Sequence, residues 1–425
     1  MIDKQICDLP TPPTQCWQPV KSAAGENEAI AGKSDSKDTL AIIAVTLAAI
    51  VAFLNVFATQ PLLPLFEQTF HASKAAVGRT VSVTTLGVAL SATFWGALAE
   101  RVGRRKVIVL STFLLAIPTI LAASAGSLTQ LVIWRFLQGI VVPGIFGVTI
   151  AYITEEWPRE RVPKVMSLYV SGVVLGGFLG RLLTGVAAAH QLIPFVAPSW
   201  RNGFFVIGAI DLAFGFLLWC WLPHDSPLAA CADKKTSIAR HFRNPQLLAT
   251  FAVGFNVFFS LIATFTYVTF YLAAPPFWLS PAKLSALFMV YLVGLIVTPL
   301  GGIWISHVGS RSALICSVGA AIMGILLTLI PNLPVIIFGL ILCSSGVFIC
   351  QAASNSYIQR IAQSGGRASA TGLYVMFYYT GGSLAGILPG LLWRYGQWKA
   401  CVALIVFVQA VSVAIAGSIW KGKDS

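Results

Sequence analysis

Twelve stretches of this chain are almost unbroken runs of apolar residues, and short polar segments between them hold nearly all of its charge. The runs lie near 39–60, 75–98, 107–125, 129–151, 164–188, 202–222, 246–271, 284–305, 312–330, 334–354, 369–391 and 399–420. Each is about twenty residues or more, the helix length that crosses about 30 Å of hydrocarbon. In lipid every backbone polar group must be paired within its own segment, so such runs predict helices. The expected fold class is an all-α membrane protein with twelve transmembrane helices.

A repeat in register divides these runs into two sets of six. The loop Gly96-Ala97-Leu98-Ala99-Glu100-Arg101-Val102-Gly103-Arg104-Arg105-Lys106 returns, fainter, as Gly302-Ile303-Trp304-Ile305-Ser306-His307-Val308-Gly309-Ser310-Arg311, offset by 206. Ala151-Tyr152-Ile153 recurs as Ser356-Tyr357-Ile358, and Leu168-Tyr169-Val170 as Leu373-Tyr374-Val375, at offset 205. The same register pairs Gly176-Gly177 with Gly381-Gly382 and Gly185 with Gly390. Repeats of this length describe duplicated transporter halves, here 39–222 and 246–420. The polar stretch 223–245, with Lys234, Lys235, Arg240 and Arg243, reads as a cytoplasmic linker. Residues 1–38, broken by Pro10, Pro12, Pro13 and Pro19, read as a disordered cytoplasmic tail without a cleavable signal, and 421–425 as a second short tail.

Composition agrees with the pattern: 57% hydrophobic and only 10% charged residues, with a mean hydropathy of +0.81. A surface in water needs far more charge, so this one faces lipid. The net charge of +13 raises the question of nucleic acid, and its distribution answers it. Twenty of the 28 Lys and Arg fall on one side of the predicted bilayer, six on the other and two inside spans. That asymmetry predicts that both termini are cytoplasmic and that the basic face meets anionic headgroups, not nucleic acid. The eight cysteines form no disulfide framework and show no metal-ligand spacing, so no metal is expected.

Ionisable residues at depth are the sharpest candidates for function, because a charge in a span is costly. Among 15 acidic residues only Asp211 lies mid-span. Two cations share its half, Arg135 in the fourth span and Arg181 in the fifth. A carboxylate alternating between a protonated and an arginine-paired form would carry protons; a permanently paired one would only hold helices together. Both readings stay open, with Asp211, Arg135 and Arg181 as the proton-coupling candidates. Polar and aromatic residues offer a lining for a substrate: Asn55, Gln60, Tyr169, Asn256, Tyr267, Tyr291, Gln351, Asn355, Tyr374, Phe377 and Tyr378. Such a lining suits uncharged or amphipathic organic solutes, held by stacking and a few hydrogen bonds.

The loop carrying Gly96, Glu100, Arg101, Gly103, Arg104 and Arg105 resembles the signature loop of the major facilitator superfamily, transporters built from two similar six-helix halves. Its copy, with Gly302, Gly309 and Arg311, has Ser306 in place of the acid. Arg135-Phe136-Leu137-Gln138-Gly139 resembles the superfamily's fourth-helix arginine motif, associated with proton transfer. The run from Ser171 to Arg181 resembles the glycine-rich fifth-helix motif of drug/proton antiporters, although Gly176-Gly177 stand where that motif has Gly-Pro. Ala58-Thr59-Gln60-Pro61-Leu62-Leu63-Pro64 resembles the outer end of the first helix in bacterial drug and sugar efflux proteins. Many such antiporters carry an acid in the first span, where this chain has neutral Asn55.

The resemblance implies a gating role for the paired loops. It also implies proton-coupled export of a small organic solute (drug-like, sugar or amphipathic metabolite) by rocker-switch alternating access. The alternatives are a facilitative uniporter or importer of the same fold, or a non-transporting sensor. A nucleotide-binding loop is absent, so the proton gradient is the expected energy source and no cofactor is expected. The five histidines fall in loops or at edges, which argues against an enzyme. The expected setting is a bacterial cytoplasmic membrane, with a monomer as the working form.

Overall fold

The computed structural model describes residues 24–191, 196–225, 241–361 and 367–420, and no strand occurs among them. Most of the linker expected at 223–245, the tail at 421–425 and the first 23 residues lie outside the described residues. Twelve helical spans follow one another: α1 (Asp38–Thr69), α2 (Lys74–Val102), α3 (Arg104–Ala123), α4 (Leu128–Glu156), α5 (Val162–Ala189), α6 (Trp200–Trp221), α7 (Pro245–Ala273), α8 (Pro281–Val308), α9 (Ser310–Leu327), α10 (Leu333–Ile361), α11 (Arg367–Ala385) and α12 (Leu388–Ile419). All but α11 are long and apolar enough to cross a membrane. α11 is diluted by tyrosines, serines, threonines and glycines, because much of its surface meets protein rather than lipid.

Local chemistry marks the helix starts. Ser73, Ser127 and Ser280 accept from the backbone N–H three residues on, and Asn244 accepts from Gln246 and Leu247. Each pairs a donor that the first helical turn would leave free. Prolines act where they stand. α1 is helical to Val56, passes through a 3-10 turn at Gln60–Leu62 containing Pro61, and resumes as a short helix at Leu63–Thr69 containing Pro64.

Two boundaries differ from the sequence reading. The first helix begins at Ala24, inside the segment assigned to a tail, where Glu and Ala residues favour helix. The eleventh apolar run is divided between α11 and the first turns of α12. α12 itself is bent at Gly396 and at Gln397 (φ 49°), and the twelfth run starts just beyond the bend.

Packing reproduces the repeat. In the first half α2 packs on α4, α1 on α5, and α3 on both α4 and α6. In the second, α8 packs on α10, α7 on α11, and α9 on both α10 and α12. The halves meet along two equivalent seams, α2 against α11 and α5 against α8. Lipid provides no hydrophobic drive between helices, so close backbone approach carries the association. The stripe Gly172, Gly176 and Gly180 on α5 lies against α1, where an added Cβ would come within 2.7, 2.4 and 2.0 Å of the carbonyl oxygens of Thr46, Ile50 and Leu54.

The contacts between halves run from mid-helix to the end opposite the termini. There a Cβ on Gly78 of the first half would lie 2.0 Å from the Gly386 carbonyl oxygen of the second, to which Tyr267 of that same second half donates at 2.7 Å. A Cβ on Gly185 would meet Ser285 and Pro281 at 2.4 and 2.6 Å, and Lys74 lies over Phe270 and Trp393. At the terminus-bearing end, Gly96, Gly302 and Gly372 have nothing within 4 Å of an added Cβ. The closest approaches between the halves thus lie toward the end opposite the termini.

Candidate functional site

Interrupting α1 has a chemical consequence in the middle of the first half. A helix that stops at Val56 leaves carbonyl oxygens without their usual partners. Arg135 of α4 supplies them: Nη1 donates to the Asn55 carbonyl at 2.7 Å and Nη2 to the Val56 carbonyl at 2.5 Å. Its Nε donates to the Thr80 carbonyl of α2 at 3.3 Å, and Nη1 also donates to Gln138 Oε1 at 2.6 Å. The guanidinium is fully buried and holds three helices together at the break.

Gln138 continues the chain of bonds. Its Nε2 donates to Thr119 Oγ1 at 2.7 Å and to Asn55 Oδ1 at 3.2 Å, and Thr119 donates to Asn55 Oδ1 at 2.7 Å. The Asn55 amide then donates to both oxygens of Asp211, at 2.9 and 3.1 Å. Arg135, Gln138, Thr119 and Asp211 are all wholly inaccessible, and Asn55 nearly so. Five side chains from α1, α3, α4 and α6 thus form one buried polar path with a cation at one end and the single buried acid of the described residues at the other.

This geometry corrects the expected partnership. Asp211 does not pair with a guanidinium: the Asn55 amide donates to both of its oxygens. A neutral amide stands between acid and cation. Asn55 belongs to this path rather than to a substrate lining, and Gln138 and Thr119 join it without having been singled out. Gln138 had a legible signal, since it sits three residues from Arg135 on the same helical face. Thr119 had none.

Arg181 stands in a second, separate place. Its Nε donates to Gln60 Oε1 at 2.7 Å and Nη1 to the Gly177 carbonyl at 2.5 Å, while Gln60 Nε2 donates to Thr266 Oγ1 of α7 at 3.1 Å. Three rings face the guanidinium: Phe57 of α1 and Phe288 of α8 at 4.7 Å, and Tyr291 of α8 at 4.5 Å. Of the expected lining residues, Gln60 and Tyr291 therefore meet at Arg181, in the seam between halves.

The remaining lining candidates divide. Tyr267 donates to the Gly386 carbonyl, and Tyr169 donates to the Phe146 carbonyl at 2.8 Å, so both are packing residues. Tyr378 stacks on Phe258 at 4.0 Å, Phe377 on Phe251 at 5.5 Å, and Tyr374 lies against Gly254, forming an aromatic wall between α7 and α11. Asn256 and Gln351 are part-buried and Asn355 is exposed.

The paired loops hold their own halves together. Gly103 (φ 103°) and Gly309 (φ 84°) make the turns, a backbone conformation that favours glycine. An added Cβ on Gly96 or Gly302 would meet nothing within 4 Å. Arg104 pairs with Glu155 of α4. Arg105 donates to the Leu222 and Trp219 carbonyls at the end of α6, both at 2.6 Å, and Arg311 donates to the Gly417 carbonyl near the end of α12. Two arginines in equivalent positions thus cap the last helix of each half. Glu100 and Arg101 are exposed.

A family model described as the Major Facilitator Superfamily matches residues 45–418. The chain is 30% identical over 387 residues to an uncharacterized transporter of Buchnera aphidicola subsp. Schizaphis graminum (strain Sg), covering 90% of this chain and 92% of that one. It is 29% identical over 382 residues to the inner membrane transport protein YnfM of Escherichia coli (strain K12), covering 89% of each. A solved bacterial homologue of the human lysosomal transporter Spinster, inward-facing and unoccupied, has the same fold: TM-score 0.76 at 17% identity, covering 89% of this chain and 96% of that one. The chain belongs to the Major Facilitator Superfamily, a multi-pass membrane transporter of a small-molecule substrate.

Proposed function

We propose that this superfamily member exports a small organic solute (drug-like, sugar or amphipathic metabolite) in exchange for protons, by rocker-switch alternating access. One observation carries the reading: the single buried acid of the described residues, Asp211, is bonded to the neutral amide of Asn55, which stands between it and Arg135. An acid held by neutral donors takes up or releases a proton without breaking an ion pair. The path it belongs to crosses the break in α1, where a change of helix position would alter its bonds. Asp211 is thus the proton carrier of this reading, with Arg135 as the fixed positive end of the path. With both termini in the cytoplasm of a bacterial cell, the close approaches between the halves face outward.

A facilitative carrier is the second reading, favoured by where Asp211 stands. α6 packs on α1, α3 and α5 of its own half, away from the two seams.

Everted membrane vesicles with an acid interior test the proposal, challenged with drugs, sugars and amphipathic acids. Wild type is expected to lose the gradient when a transported compound is added, and Asp211→Asn to retain it under the same challenge. A gradient that still collapses in the mutant moves the proton site elsewhere. Compound uptake with no effect on the gradient in either protein establishes the facilitative reading.

A further inference from the structure

Arg181 is the one buried cation of the described residues whose surroundings leave it unfinished. The buried ionisable residues of the spans are Arg135, Arg181 and Asp211. Asp211 is held by Asn55 in another part of the first half, and no carboxylate among the described residues pairs with Arg181. An uncompensated charge in a lipid-embedded interior is costly, and aromatic faces and two oxygens offset only part of that cost. Both Nη2 hydrogens are without a partner, although Arg181 is 1% exposed. The hydroxyl of Tyr291, whose ring lies on the guanidinium, is also buried and without a partner. Two unpaired donors on one contact are a polar surface waiting for an acceptor.

Position says when the acceptor arrives. Arg181 and Phe57 belong to the first half, Phe288 and Tyr291 to the second, and the contact between them is part of the α5–α8 seam. Alternating access opens and closes that seam. A ligand bound here touches both halves at once. One unbalanced cation matches one negative charge, so a monoanion fits better than a phosphate dianion. The rings around the guanidinium suit a flat apolar body attached to that charge.

Resting on the transporter reading above, we infer that Arg181 and Tyr291 bind the carboxylate of an aromatic monoanion, which is the substrate class of this carrier. One carboxylate oxygen accepts from Nη2 of Arg181 and the other from the Tyr291 hydroxyl, while the ring of the ligand lies among Phe57 and Phe288. A neutral amide of the same shape leaves the cation unbalanced and binds worse.

The test uses the full chain, purified in detergent, with benzoate, salicylate and 1-naphthoate as probes and their primary amides as matched controls. Binding is read by calorimetric titration and by the shift in thermal unfolding. Wild type is expected to bind at least one acid and to prefer it over its amide. Arg181→Gln is expected to weaken acid binding about thirty-fold or more, and Tyr291→Phe about tenfold. Arg181→Lys should keep part of the acid preference, and an unchanged size-exclusion profile shows that each variant is folded. An acid preference that survives Arg181→Gln, or a failure of all three acids to bind wild type, overturns the inference. Running the same probes in the vesicle assay separates the two claims. Arg181-dependent binding without proton exchange sinks the export reading alone. Proton exchange driven equally by acids and amides sinks the anion site alone.

Discussion

Arg135 and Arg181 are the same residue type, fully buried in the same half, and they are finished in opposite ways. Arg135 spends its donors on three backbone carbonyls and one side-chain oxygen, with no aromatic ring recorded against it. Arg181 spends two donors on oxygens, lies against three rings and leaves Nη2 free. A guanidinium saturated by carbonyls is part of the scaffold, because removing it cuts several ties between helices at once. One with spare donors at a seam between moving halves is available to something that comes and goes.

Substitutions can break or sharpen this contrast. Arg135→Gln removes the bonds that tie α4 to the Asn55 and Val56 carbonyls at the break in α1 and to Thr80 of α2, and should cost about 2–3 kcal/mol. Chemical unfolding in detergent would reveal it, and a loss below about 1 kcal/mol would remove the scaffold role. Gln138→Leu cuts the side-chain route from Arg135 to Asn55 while leaving the carbonyl bonds in place. It should cost about 1–2 kcal/mol in the same assay. Arg181→Gln removes a cation with no acid to balance it, so its stability should lie within about 1 kcal/mol of wild type in the absence of ligand. If Arg181→Gln and Arg135→Gln were equally damaging, the two arginines would have to be read alike, and the contrast would fail.

The paired loops offer a second lesson in reading one dimension. Their glycine turns and basic residues were visible as a repeat, and the resemblance implied a gating role. The structure shows which ends the arginines meet: Arg105 caps α6 and Arg311 caps α12, each inside its own half. Sequence spacing identifies a turn between two helices, because the turn is local. It does not say which helix end an exposed arginine will meet, since that end lies more than a hundred residues away.

The same division runs through the whole molecule. The helical spans, the two halves and the three charges at depth were all readable from the chain, since hydropathy and the cost of charge in lipid act within a few residues. Which partner each charge takes was not readable. Asp211 meets Asn55 across 156 positions, Arg181 meets Gln60 across 121, and Tyr267 meets Gly386 across 119. Those meetings depend on how far each helix is rotated about its axis and how closely its glycines let a neighbour approach. Only the packed bundle decides both, because in lipid it is fit between helices, not burial of apolar surface, that chooses one arrangement over another.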